Sequence, residues 1–307
     1  MKLGAIDIGT NSMRLLIAEY VEGKFFDRQK YINTTRIGQG VDENGYISKD
    51  AIDRNIDALK EFVNIAKEEK CERIWAIGTS ALRDSKNKDE FLDRAYKEAN
   101  IKVEVITGEE EANLGFIGTI KGINEDKDIL VLDIGGGSTE FIFGDSKEGI
   151  KFLKSEDVGA LRMTEKFLKI DPIDKRELHN LNNYIDKTIN NTIKHINEMN
   201  ISRLIGIGGT ITSLSAINIE LETYDMNKIH NSKLTISDIQ RILNKLTKLT
   251  IDEKKKLKGL QPKRADIITA GTCILMSIME GLNIQEITIS EYDNLEGLIC
   301  QKSRKMS

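Results

Sequence analysis

An α/β fold with mixed sheets, arranged as two related domains, is predicted for this chain of 307 residues. Three observations predict it. A hairpin-like sentence occurs twice, AIDIGTNSMRLLIAEY over residues 5–20 and VLDIGGGSTEFIFG over 131–144. Each copy passes from an apolar run through Asp-x-Gly and a Gly/Ser/Thr/Asn turn into a second β-type run, and internal repetition is itself evidence about architecture. Short apolar strands then alternate with amphipathic helices, the pattern of an α/β layer. The length suggests about two domains with ample core.

The elements follow in order. After the first hairpin, Lys30–Gly40 reads as a further strand leading to RIGQG, and a helix starts near Ser48 with Ile52, Ile56, Leu59, Val63 and Ala66 on one face. Arg73–Gly78 reads as a buried strand. GTSALRD then turns into a helix holding Phe91, Leu92, Ala95 and Ala99. Lys102–Ile106 is a strand, and a helix covers Gly108–Gly122. After a polar break at residues 124–127, the second hairpin begins at Asp128. A long helix is expected over Asp174–Asn200, with Leu178, Leu181, Ile185, Ile189 and Ile193 inward. Arg203–Gly208 is a strand running into the small-residue helix GGTITSLSAI. Thr235 and Asp238 have capping-box spacing, Lys263–Leu282 reads as helix, Glu286–Ile289 as strand and Asn294–Lys302 as a closing helix.

Composition narrows the function classes. Apolar content of 39% and charged content of 31% fit a soluble globular protein. The net charge of −4 argues against a nucleic-acid binder, although a polyanion can enter a locally basic cleft. Cys71, Cys273 and Cys300 lie far apart without metal-ligand spacing and fit a reducing compartment; His179, His195 and His230 form no cluster. Asp7, Arg14 and Glu19 interrupt the first twenty residues, and no apolar run reaches membrane-spanning length. A cytoplasmic protein with no membrane or nucleic-acid partner is the expectation.

The turns of the two hairpins carry the first chemistry. Consecutive backbone N–H groups in Gly-rich turns form a concave anion nest, while Asp7 and Asp133 repel phosphate and suit a divalent metal or its water. A single such turn is most often only a hairpin; the duplication favours phosphate. A dinucleotide-binding motif would open a helix after one strand, whereas β-type sequence resumes after both turns here. GxxxxGK[ST] is absent. GEEEA at 108–112 is either an ordinary acidic first turn favoured by the helix dipole or the seat of a water-activating base. Arg83 in GTSALRD is a bidentate phosphate grip or a surface arginine. Gly208, Gly209 and Thr210 offer an anion site at a helix start or close helix–strand packing. Lys254, Lys255, Lys256, Lys258, Lys263 and Arg264 are a polyanion guide or, more commonly, a solvated face.

Together AIDIGTNSMRLLI, RIGQG, GTSALRD, ITGEEEANLGFIG, LDIGGGSTEF, DVGALRMTEKF, IGIGGTITSL, KRADIITAG and SEYDNLEGLI resemble, in family order, the exopolyphosphatase / guanosine pentaphosphate phosphohydrolase (Ppx/GppA) family. That family lies within the actin–sugar kinase–heat-shock ATPase superfamily. The resemblance implies two ribonuclease H-like (actin-like ATPase) domains around a cleft, 1–124 and 125–292, with a helix from about 293 to 307 packing back on the first. It implies Glu111 as the catalytic glutamate orienting water, Arg83 as phosphate grip, and phosphate loops at Gly9, Thr10, Asn11, Ser12 and at Gly135, Gly136, Gly137, Ser138. Gly208, Gly209 and Thr210 add phosphate contacts; Asp133 and Glu140, with Asp7, are the implied metal carboxylates. Mg²⁺, with Mn²⁺ as the alternative, a homodimer, and terminal-phosphate hydrolysis of polyphosphate or guanosine pentaphosphate are also implied. A superfamily kinase lacks its sugar-binding motif here, and a pure alarmone sensor needs no water-activating base. One departure is Leu295, where the family commonly has an arginine before Glu296-Gly297, which puts a partner of the phosphate loops or hinge in question.

Overall fold

The computed structural model describes residues 1–123 and 128–304, so the polar break expected at 124–127 lies outside the described residues. The chain divides into two compact units: Met1–Lys121 together with the stretch from Tyr292, and Gly122–Glu291.

In the first unit, strands β1 (Lys2–Ile8), β2 (Met13–Val21), β3 (Lys24–Asn33), β4 (Arg73–Gly78) and β5 (Val103–Val105) form one sheet, in the order β3-β2-β1-β4-β5. β1, β2 and β3 run antiparallel to one another; β4 and β5 are added parallel to β1. One face is covered by helices Lys49–Glu68 and Lys88–Ala99. The first begins where Ser48 accepts a hydrogen bond from the Ala51 N–H, a side-chain N-cap. Its Ile52, Ile56, Leu59, Val63 and Ala66 are all buried. On the other face Leu114, from helix Gly108–Gly122, and Leu295, Leu298 and Ile299, from helix Asn294–Arg304, pack with Leu3, Ala5 and Leu16.

The second unit repeats the plan. Strands β6 (Ile129–Ile134), β7 (Thr139–Asp145), β8 (Gly149–Glu156), β9 (Arg203–Ile207), β10 (Lys233–Thr235) and β11 (Glu286–Ile289) are ordered β10-β11-β9-β6-β7-β8. β8-β7-β6-β9-β11 matches β3-β2-β1-β4-β5 strand for strand, direction included, and β10 is an antiparallel addition at one edge. Helices Lys175–Ile196, Gly208–Asn218, Ile236–Leu246 and Ile268–Gly281 bury Leu181, Ile185, Leu214, Ile239, Ile242 and Ile274 in its core. The Thr235–Asp238 capping box is formed reciprocally.

Several expected boundaries are corrected. The strand expected at Lys30–Gly40 is Lys24–Asn33, because Glu22 and Gly23, both at positive φ, make a two-residue turn directly after β2. Residues 34–40 form a looped segment instead. Helix does not run unbroken from GTSALRD. Ser80–Asp84 is a short helix of its own, and the Asn87 amide pairs with the Ile47 backbone in both directions before helix Lys88–Ala99 begins. The helix from Lys175 ends at Ile196, and Leu178 on it is only partly buried. In 263–282, Pro262–Arg264 is a 3₁₀ turn and the α-helix starts at Ile268. β8 and helix Ala160–Phe167 follow the second hairpin without having been expected.

Candidate active site

Both hairpins close in the same way. Gly9 N–H donates to Ser12 O at 3.1 Å, and Gly135 N–H to Ser138 O at 3.0 Å. Asp7 stands opposite Arg14 across the first hairpin; at the matching register of the second, Asp133 stands opposite Glu140. Directly opposed residues share a sheet face. Duplication therefore gives two rows of equal geometry and opposite charge logic.

In the first unit the row is neutralised internally. The Arg14 guanidinium bonds Asp7 Oδ2 and also Asp293 Oδ2, the latter at 2.8 Å, and Lys30 reaches Asp293 at 3.2 Å. Arg28 bonds Glu296 at 2.6 Å. Burial pushes the Asp7 carboxyl up despite Arg14; Asp293, equally buried, is held well below the usual carboxylate range by Arg14, Lys30 and the Leu295 N–H. Asp7 Oδ1 and Asn11 Oδ1 are buried without a hydrogen-bond partner. Leu295, the departure noted in the sequence, is fully buried in the core, so the cations facing Asp293 and Glu296 come from Arg14, Arg28 and Lys30 on β2 and β3.

Arg83 and Glu111 are brought together in this unit. Arg83 Nη1 donates to Glu111 Oε2 and to the Ile106 carbonyl, each at 3.2 Å. Thr10 Oγ1 lies 2.7 Å from Ser80 Oγ, tying the first hairpin turn to GTSALRD. The three glutamates divide their work. Glu110 makes a capping box with Thr107: its carboxylate accepts the Thr107 N–H at 2.8 Å, and its own N–H donates to Thr107 Oγ1. Glu109 is exposed, and Glu111 is buried against Arg83.

In the second unit Asp133 and Glu140 are 8% and 1% exposed. Ser155, opposite Glu140 on β8, donates to Glu140 Oε1 at 2.8 Å. Gly208 adjoins Asp133: a Cβ there would lie 2.2 Å from Asp133 Oδ1, so only glycine fits. Gly209 packs beneath the Arg264 guanidinium, and Thr210 is buried against Gly271. Thus Asp133, Glu140 and Gly208 are gathered in the second unit, Asp7, Arg83 and Glu111 in the first. Ser155 and Arg14 were missed in the sequence; their register opposite Glu140 and Asp7 becomes readable only once the strands are paired.

Among the described residues no three His, Cys, Asp or Glu side chains form a preformed cage. That suits Mg²⁺, which is commonly held by one or two carboxylates plus substrate phosphate oxygens. Two buried carboxylates placed opposite one another fit such an ion, and so does the partnerless Asp7 Oδ1.

Two units on one strand plan, each closing a tight hairpin turn beside a buried aspartate, define an actin-like fold equipped for phosphate chemistry. The chain belongs to the Ppx/GppA phosphatase family, whose model matches residues 16–306. It is 37% identical, over 97% of its length, to the bifunctional 3-dehydroquinate synthase/phosphatase of Fusobacterium nucleatum subsp. nucleatum, and spans 46% of that longer protein. It is 31% identical to exopolyphosphatase 2 of Mycobacterium tuberculosis over 97% of each chain. The crystal structure of an exopolyphosphatase from Cytophaga hutchinsonii matches with a TM-score of 0.90 at 32% identity, covering 99% of this chain and 98% of that one.

Proposed function

We propose that this phosphatase is an exopolyphosphatase: water attacks the terminal phosphorus of inorganic polyphosphate, the anhydride P–O bond breaks, and orthophosphate leaves. The observation that carries the reading is Glu111, a buried carboxylate held by Arg83 beside the first phosphate loop's partner segment. In this reading Glu111 accepts the proton of the attacking water, and Arg83 orients that carboxylate and meets phosphoryl oxygens. The amides of each hairpin turn offer a nest for phosphate oxygens. Asp133 and Glu140 would hold Mg²⁺ or Mn²⁺, which would supply charge neutralisation on the phosphate oxygens. Asp7, already paired with Arg14, contributes at most through its second oxygen. Three unpaired cysteines support a cytoplasmic setting; no described helix is long and apolar enough to cross a membrane. A homodimer is carried over from the family resemblance.

A second reading, guanosine pentaphosphate hydrolysis, gains from the basic run. Lys254 and Arg264 are buried, and Lys255 and Lys258 pair with Asp252 and Glu222, so the run is no continuous cationic track for a long polyanion. Phosphate release with Mg²⁺ present, compared across long polyphosphate, short polyphosphate, guanosine pentaphosphate and ATP, separates the readings. Fastest turnover on polyphosphate is expected; faster turnover on guanosine pentaphosphate favours the second reading, and none on either removes both.

A further inference from the structure

Two sequence motifs, RIGQG and DVGALR, have no part in the chemistry above, yet each lies directly behind a phosphate hairpin. Segment Ser155–Arg162 touches the second hairpin at nearly every residue. The Ala160 N–H donates to Gly135 O at 2.9 Å, those of Leu161 and Arg162 to Gly136 O at 2.9 and 3.0 Å, and Arg162 Nε to Gly137 O at 2.7 Å. Thr139 Oγ1 donates to Val158 O, and Ser155 Oγ to Glu140. The segment thus engages the carbonyls of Gly135, Gly136 and Gly137, and the fourth, Ser138 O, accepts from Gly135 N–H within the turn. Among the described residues, the N–H groups of Gly136, Gly137 and Ser138 donate to no protein acceptor.

Three consecutive glycines allow close approach of a phosphate, but their peptide planes also flip at little steric expense. A flipped plane would present a carbonyl oxygen, which repels phosphate. We propose that Ser155–Arg162 is a positioning strap that locks the peptide planes of Gly135–Ser138 with their amides outward, and that Arg162 and Gly159 are its essential positions. Arg162 fixes the plane following Gly137. Gly159 lets the strap come close enough to donate: a Cβ there would lie 2.4 Å from both Gly136 O and Gly137 C. The first unit uses the same device with a different segment, since Gly38 N–H donates to Thr10 O and Arg36 N–H to Asn11 O, both at 3.0 Å. Preorganising donors in this way removes an ordering penalty from binding.

The proposal rests on the reading of Gly135–Ser138 as a phosphate loop. Its test is calorimetric binding of inorganic phosphate, with Mg²⁺ present, to the full chain and to Arg162→Lys, Arg162→Ala and Gly159→Ala, with melting temperatures and kcat and KM alongside. Arg162→Ala is expected to weaken phosphate on the order of tenfold, the scale of a lost charge-assisted hydrogen bond, at an unchanged melting temperature. Arg162→Lys, which keeps a donor, recovers most of that loss. Gly159→Ala weakens binding further or fails to fold, and the Arg162 pair decides the matter either way. Wild-type affinity in Arg162→Ala, or equal losses in Arg162→Lys and Arg162→Ala, overturns the strap, as does a wild-type chain that binds no phosphate. Hydrolysis by the wild-type chain tests the exopolyphosphatase reading separately, so the two can fail independently.

Discussion

Glu109, Glu110 and Glu111 share one helical turn and have three different surroundings: solvent, the Thr107 cap and the Arg83 guanidinium. Glu111→Gln keeps size and one acceptor oxygen but cannot take a proton from water. Its kcat is expected to fall by about 10²–10⁴-fold, the usual contribution of a general base, with KM nearly unchanged. Glu110→Gln loses part of the cap, so a small drop in melting temperature with turnover intact is expected; Glu109→Gln changes neither. Comparable small effects on turnover at all three would leave the acidic turn an ordinary helix start. Arg83→Ala is expected to raise KM more than Arg83→Lys, because lysine keeps the charge and loses the fork; equal kinetics for both variants and wild type would refute a phosphate contact. The motif strings singled out Glu111 and Arg83, which the fold brings to 3.2 Å, yet the different surroundings of the three glutamates were illegible, because they depend on which side of the turn each side chain faces.

At the scale of elements, short apolar strands and amphipathic helices were legible, as Arg73–Gly78, buried over its second half, and Lys49–Glu68 show. What escaped was the placement of β3, and β8 and the helix after it altogether. β3 and β8 are edge strands with mixed, half-exposed side chains, so neither alternation nor an apolar run marks them. Leu295, which departs from the family's common arginine, fills a core position in the fold, and the cations at Asp293 and Glu296 arrive from β2 and β3. Leu295→Ala is therefore expected to destabilise the first unit by about 2–5 kcal/mol, as for other buried leucines, measurable as a lower denaturation midpoint; a cost near zero would remove Leu295 from the core. Asp293 anchors the start of the same helix. Its folded pKa is depressed, so it stabilises above the unfolded carboxylate value of roughly 4 and loses that contribution as pH falls below it. Stability of wild type should decline more steeply with acidification below that value than stability of Asp293→Asn; parallel profiles would count against the ion network.

For the whole molecule, the repeat was the most legible feature, since Asp-x-Gly recurs with matching strands around it. The divergence of the repeats was not: one row became Asp7–Arg14 and the other Asp133–Glu140, and pairing those residues requires the register. That divergence predicts where a divalent cation matters. Activity should vanish in excess chelator and return with Mg²⁺, and added Mg²⁺ should raise the melting temperature of wild type more than that of Asp133→Asn. Full activity in chelator, or equal shifts, would separate the carboxylate pair from the metal. The first unit, finally, is interrupted by the second: it pauses at Lys121 and resumes at Tyr292. Leu295, Leu298 and Ile299, which cover one face of its sheet, are synthesised only after the whole of the second unit. On the ribosome, then, the domain that begins first is completed last. While the inserted domain is being made, Leu3, Ala5 and Leu16 wait on a partly bare apolar face that only the last helix covers.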